Sequence, residues 1–216
     1  MAEGLIDAAA AAPPAEQRFV GVAVAQVVNN VDLTGRARVQ VRLPWMPGFE
    51  PWARVASPSA GSDRGIYFMP QVDDEVLVAF NQGDLRDAYV VGSLWNGVDD
   101  PPRTGPTDPV SQRVVKTPAG HEVELDDLAQ SITITSSSGH TITVTPDSIE
   151  LSVSGGAATL TLEAAGKVAV SASTEVAIEA PSLKLSGANV EITGSGTAKL
   201  DGGGACTISA GLVKIN

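Results

Sequence analysis

Apolar residues in the second half of the chain come in pairs. Each pair flanks one other residue and is followed by a short polar or glycine break. The pairs run Ile132/Ile134, Ile142/Val144, Ile149/Leu151, Leu160/Leu162, Val168/Val170, Val176/Ile178, Leu183/Leu185, Val190/Ile192, Ala198/Leu200, Cys206/Ile208 and Val213/Ile215. Alternation of this kind predicts short strands. From Leu160 onward each pair begins 7 or 8 residues after the one before, and a fixed longer period of that sort predicts a β-solenoid or fibre. Glycines such as Gly120, Gly139, Gly166 and Gly187 punctuate the breaks, where sharp corners between short strands are needed. Three octads could close one coil of a single chain, or three chains could each supply one strand in turn. The pattern alone leaves both open, although intertwining gives every strand edge a partner.

The first half is patterned differently. Six apolar-rich stretches are expected as strands: Phe19 to Val28, Arg36 to Leu43, Trp52 to Ala56, Gly65 to Met69, Glu75 to Phe80 and Ala88 to Trp95. Asn29-Asn30, Pro44 and Asp73-Asp74 mark turns between them. The second stretch alternates so that its arginines face outward. Short strands in so small a segment predict a Greek-key barrel, with an OB-fold as the leading candidate. The division that follows is an arm over 1–17, a barrel over 18–98, a linker over 99–113 and a repeat over 114–216. The linker reads DDPPRTGPTDPVSQR, and its prolines and glycine predict an extended surface segment without helix.

Composition sharpens this picture. All three Trp, all four Phe and both Tyr lie before residue 100. A globular core of the second half would use aromatics for volume; a narrow core of stacked Val, Ile, Leu and Ala would not. Net charge is −11, which argues against phosphate-directed nucleic-acid binding. All arginines lie at or before Arg113 and all lysines at or after Lys116. The lone Cys206 occupies an apolar repeat position and reads as a small buried hydrophobe. No disulfide framework is possible, so folding in a reducing cytosol is plausible. No apolar run is long enough for a transmembrane helix. The N-terminal alanine run is preceded by Glu3 and Asp7 rather than by the basic start of a signal peptide.

Asp73-Asp74-Glu75 reads as a turn entering a strand, because adjacent strand residues point to opposite faces. Gly120-His121 and Gly139-His140 recur 19 residues apart, which suits a structural corner better than a catalytic base. Asp126-Asp127 lacks the spacing of a calcium loop. Trp45 and Trp52 could stack nucleobases, but barrel packing or subunit contact fits the acidic balance better. Arg36, Arg38 and Arg42 read as a solvated or inter-subunit face. No cofactor or metal site is expected, and no catalytic residue.

The chain resembles the OB-fold of contractile-tail spike proteins, the phage baseplate assembly protein V family and the matching part of type VI secretion VgrG proteins. The matching words are VAQVVNNVDLTGRARVQVRLPW (24–45), WARVASPSAGSDRGIYFMPQVDDEVLVAFNQGD (52–84), YVVGSLWNG (89–97), KTPAGHEVELDD (116–127) and SSSGHTITV (136–144). The resemblance implies an all-β homotrimer: an OB-fold collar followed by an intertwined triple-stranded β-helix that forms a rigid needle. Its implied core is Val168, Val170, Val176, Ile178, Leu183, Leu185, Val190, Ile192, Cys206 and Ile208. The implied partners are a separate trimeric hub protein, a PAAR-repeat tip protein and, transiently, the target-cell envelope. Only a short arm precedes the barrel, so the hub is expected to be another polypeptide. The repeat is still running at Val213, Lys214, Ile215 and Asn216, which are expected to meet the tip protein. The implied role is a membrane-piercing spike, made in the cytoplasm and assembled into a phage tail or extracellular injection particle. An OB-fold nucleic-acid-binding protein with a β-rod tail, and a trimeric adhesin or fibre, are the alternatives.

Overall fold

The computed structural model describes residues 18–215; the expected arm over 1–17 and Asn216 lie outside the described residues. Five strands close a barrel in the order β1-β2-β3-β7-β6: β1 (Val22–Asn29), β2 (Arg38–Arg42), β3 (Trp52–Val55), β6 (Glu75–Phe80) and β7 (Ala88–Leu94). Only the β3–β7 pairing is parallel; β6 closes the ring by pairing antiparallel with β1. This is the OB-like barrel predicted from the strand count. Strict alternation builds its core. Ala23, Ala25 and Val27 of β1, Val39 and Val41 of β2, and Val76, Val78 and Phe80 of β6 all point inward and are buried. Small inward residues on β1 suit a barrel this narrow. The outward residues of β1 include apolar ones, and Val22 and Val24 stay exposed.

Arg36 and Ala37 fall outside β2 because the chain is bent there. Gly35 and Ala37 both have positive φ, and the Asp32 carboxylate gathers the loop. It accepts from the backbone N–H groups of Thr34 and Arg36, from the Thr34 hydroxyl, and from the Arg38 guanidinium at 3.0 and 3.1 Å. These donors, Arg38 first, hold the Asp32 carboxyl well below the usual carboxylate range.

The strand expected over Gly65 to Met69 is replaced by a two-stranded ribbon of β4 (Ala60–Gly61) and β5 (Arg64–Gly65). Gly65 is the reason. Its φ is +146°, and a Cβ there would lie 2.5 Å from the Ser59 carbonyl oxygen. The chain then leaves the ribbon with Ile66, Tyr67 and Phe68 exposed in succession.

The linker also departs from expectation. It contains one helical turn, α1 (Asp108–Ser111), and the next strand, β8 (Gln112–Lys116), begins inside the expected linker. Pro109 falls in the first turn, where a missing N–H breaks no helical bond. The Asp108 carboxylate accepts the Gly105 N–H at 2.8 Å and ties the turn to the chain before it.

Beyond the linker, seven strands form one antiparallel meander in chain order. After β8 come β9 (Glu122–Asp126), β10 (Ser131–Thr135), β11 (Thr141–Val144), β12 (Ser148–Ser152), β13 (Ala158–Glu163) and β14 (Val168–Ala172). The expectation that the whole repeat pairs between chains is thus corrected for 112–172, which pairs with itself through hairpins. Among the described residues, no strand follows Ala172. Residues 173–215 run through bends and turns with their apolar side chains exposed.

Leu43 is among the largest fully buried side chains of the barrel. Leu43→Ala is expected to destabilise the barrel by about 2–5 kcal/mol, read as an earlier urea midpoint in the tryptophan fluorescence that only the barrel carries.

Candidate functional site: an apolar face without a cover

The register of the meander sorts its residues into two faces. Val115, Val123, Ile134, Ile142, Leu151, Leu160 and Val170 are successive cross-strand partners and form one apolar row. Leu125, Ile132, Val144, Ile149, Leu162 and Val168 form a second row beside it. The opposite face carries Glu124, Thr133, Thr143, Glu150 and Thr161 in the same way. Yet the apolar side is the more open one. Ile132 and Ile134 are both 44% exposed, and Val168 and Val170 reach 65% and 60%. A groove of about 550 Å³ along the first row is lined by Ile142, Leu151, Leu160, Val170 and Val176. Monomeric proteins seldom leave contiguous apolar patches above a few hundred Å².

The remaining core residues named from the sequence continue this exposure. Val176, Ile178, Leu183, Leu185, Val190, Ile192 and Ile208 are all more than half exposed, and Cys206 is exposed. The single chain brings Val168 and Val170 onto the sheet and leaves the others without a strand partner. Of the residues expected at the tip, Val213 and Ile215 are exposed hydrophobics and Lys214 is exposed.

The polar face is tied to the linker by Arg103, a residue the sequence reading passed over. Its guanidinium donates to the Glu124 carboxylate at 2.9 Å, to the Glu122 carboxylate, and to the Gln112 side-chain oxygen at 3.1 Å. Lys116 pairs with Glu122 from the neighbouring strand at 3.0 Å. Arg103 first, then Lys116, hold the Glu122 carboxyl below its ordinary value. The signal was present: Glu122 and Glu124 share one face of a strand, and Arg103 is the one charged residue between Asp100 and Asp108.

The histidine corners are structural and repeat each other. In the first, Gly120 and His121 close a turn opened by Thr117; in the second, Gly139 and His140 close one opened by Ser136. Both glycines have positive φ. Each histidine Nδ1 accepts the backbone N–H of the next turn along that edge, from Ser137 at 3.2 Å and from Ser154 at 3.0 Å. The two corners are rungs of one ladder.

The other clusters also resolve into turns and packing. Asp126 accepts the N–H groups of Leu128 and Ala129 and caps the β9–β10 turn. Asp74 accepts the Gln71 N–H at 2.7 Å, and Asp73 takes the positive-φ position beside it. Trp45 stacks on Phe19 with centroids 5.1 Å apart, and Arg38 lies over Trp52. Arg38 pairs with Asp32 and Arg42 with Glu50. Among the described residues, no group of three or more His, Cys, Asp or Glu is placed to hold a metal, and no helix is long and apolar enough to cross a membrane.

Two family models match this arrangement part by part. Residues 23–95 match the type VI secretion system/phage-baseplate injector OB domain, and residues 112–216 match the phage baseplate V C-terminal trimerisation domain. The chain belongs to the phage-baseplate V spike family. The uncovered face therefore lies in a trimerisation domain. Similar proteins include the type VI secretion system spike proteins VgrG2a and VgrG2b of Pseudomonas aeruginosa. Each is 27% identical over 143 residues, 60% of this chain and 17% or 14% of theirs. The actin cross-linking toxin VgrG1 of Vibrio cholerae is 29% identical over 106 residues, 44% of this chain and 10% of that protein. The chain thus spans less than a fifth of the length of these relatives.

Replacing Arg103 with Ala is expected to cost about 1–2 kcal/mol at neutral pH, the usual range for hydrogen bonds to charged groups less some solvent screening. The Glu122 carboxyl is depressed in the fold. Its contribution is therefore complete above the ordinary glutamate range and is lost as pH falls through and below that range. Thermal melting should show the variant's deficit at pH 7 shrinking toward zero at strongly acid pH.

Proposed function

We propose that this chain is the homotrimeric central spike of a contractile injection machine or phage tail. The observation that carries this reading is the apolar face over 112–172, which lies in a trimerisation domain and is more exposed than the polar face behind it. Three such sheets turned inward would form a dry three-sided prism. A Val, Leu or Ile side chain contributes about 1.5–3 kcal/mol when taken fully out of water, and each chain offers two rows of them. Among the described residues, the segment from 173 onward has no strand partner of its own. The regular octads supply strands for an intertwined β-helix with Val176, Ile178, Leu183, Leu185, Val190, Ile192, Cys206 and Ile208 turned into its core. Each octad would then advance the rod by one strand spacing of about 4.8 Å.

The barrels form a collar that docks on a separate hub protein. The far end of the rod, with Val213, Lys214, Ile215 and Asn216, carries a PAAR-like tip protein. The spike is driven through a target envelope by the machine that holds it, so its role is mechanical and needs no catalytic residue. It is made in the cytoplasm and assembled into a tail or an extracellular particle. A nucleic-acid role for the barrel is disfavoured by the net charge of −11 and by the engagement of Trp45, Trp52, Arg38 and Arg42 within the fold.

Light scattering of the full chain should give the mass of three copies. Val176→Asp combined with Ile192→Asp places six carboxylates in the dry core of a trimer and should release monomers or abolish soluble protein. The Leu43→Ala barrel variant should remain trimeric. A wild-type monomer with its β signal intact would sink the reading.

A further inference from the structure

Three clefts adjoin one another on the barrel, and Phe68 and Trp95 join them. The first, of about 530 Å³, lies beside the β4–β5 ribbon and is lined by Arg36, Arg54 and Arg64, with Asp63 the one acid among them. Among the described residues, none of these arginines forms an ion pair. Arg54 is carried over the Tyr89 ring. The Arg64 guanidinium folds across Gly61, where an added Cβ would meet it at 2.9 Å. The third cleft, of about 270 Å³, is lined by Asp74, Glu75, Asp99 and Asp100. Here too no ion pair forms among the described residues.

Between them is a cavity of about 670 Å³ lined by Phe68 and Trp95 from the barrel, by Asp100 from the linker, and by Val115 and Pro118 from the start of the sheet. Phe68 also lines the arginine cleft, and Trp95 and Asp100 also line the acidic one. Phe68 is 65% and Trp95 69% exposed. A basic cleft, an exposed aromatic ridge and an acidic cleft therefore follow one another. The ridge meets the first strand of the trimerisation sheet.

A closed ring of three copies cannot use one self-complementary patch. Each copy must offer two different surfaces, one to each neighbour. We propose that the arginine cleft of one barrel receives the acidic cleft of the next copy, with Phe68 and Trp95 turned toward the threefold axis. The collar is then a second closed interface, continuous through Val115 with that of the needle. The proposal rests on the threefold association of the preceding section. Single exposed ion pairs are worth little, so the aromatic ridge supplies the burial and the opposed charges set the register. A strand of nucleic acid is the poorer occupant, because the acidic cleft adjoins the basic one and would repel its phosphates.

The test uses the full chain carrying Cys206→Ala. Arg64→Cys and Asp100→Cys together should give disulfide-linked trimers on a non-reducing denaturing gel, and either change alone should not. Bands of single chains only, from a protein whose native mass is still three copies, would overturn the collar contact and leave the needle standing. A native mass of one copy would overturn both. As a second measurement, Arg36→Glu with Arg64→Glu should lower the tryptophan-monitored melting midpoint of the barrel by several degrees at low salt. Adding Asp99→Arg and Asp100→Arg to the same chain should restore it. An unmoved midpoint, or arginine-dependent binding of a single-stranded oligonucleotide by the intact trimer, would overturn the contact.

Discussion

Two rows of aliphatic side chains that their own chain leaves uncovered set the terms for the rest of the molecule. A one-layer sheet with an apolar face is not a stable end point in water, since every exposed Ile or Leu forgoes the burial that would offset the entropy of ordering it. Among the described residues, nothing else is available as a cover. The barrel's inward residues are used up in its own core, and residues 173–215 add further apolar surface. The cover must be more of the same face, and a family trimerisation domain over 112–216 supplies the number of copies.

The same constraint accounts for the polar side. A sheet whose apolar face is turned inward presents its other face to solvent, and that face is built of Thr, Ser and Glu at alternate positions. Arg103 uses this outward surface as an anchor for the linker. Because the guanidinium reaches two carboxylates on one strand and an amide on the next, the linker is held against β8 and β9 and does not hang free. The histidine corners stiffen one edge in the same spirit, with each turn bonded to the following one.

Much of this was legible in the residues, and the misses have physical causes. The barrel strands followed from alternation, and β6 spans the expected residues. The ribbon at 60–65 did not follow, because one positive-φ glycine against a carbonyl decides it and no periodicity reports that. The helical turn at Asp108 was hidden by prolines, which are read as breakers although a first helical turn accepts them. The largest difference, self-pairing over 112–172, was written in the spacing. Apolar pairs from Ile132 to Leu160 begin 10, 7 and 11 residues apart, which leaves room for hairpin turns of unequal length. The later steps are all 7 or 8 residues, but spacing marks the hairpin region only in part, since the Ile142 to Ile149 and Leu160 to Val168 steps have that length and are hairpins too.

That order along the chain matters for how such an object can form. Hairpins close over short loops, so the entropy lost in making each strand pair is small. The meander can therefore organise within one chain once three of its faces are on hand to cover one another. The octads have no such local solution. In the proposed needle, each of their strands finds an edge only when other chains are already aligned beside it. With the self-pairing section between the barrel and the octads, the proposed trimer would bring three chains into register before the octads need partners. A chain of even octads alone would offer many registers of equal merit, because its period is its only address. The unequal hairpins, the Arg103 joint and the barrel ahead of them break that degeneracy, and the regular part of the rod can stay regular because the irregular part fixes where it starts.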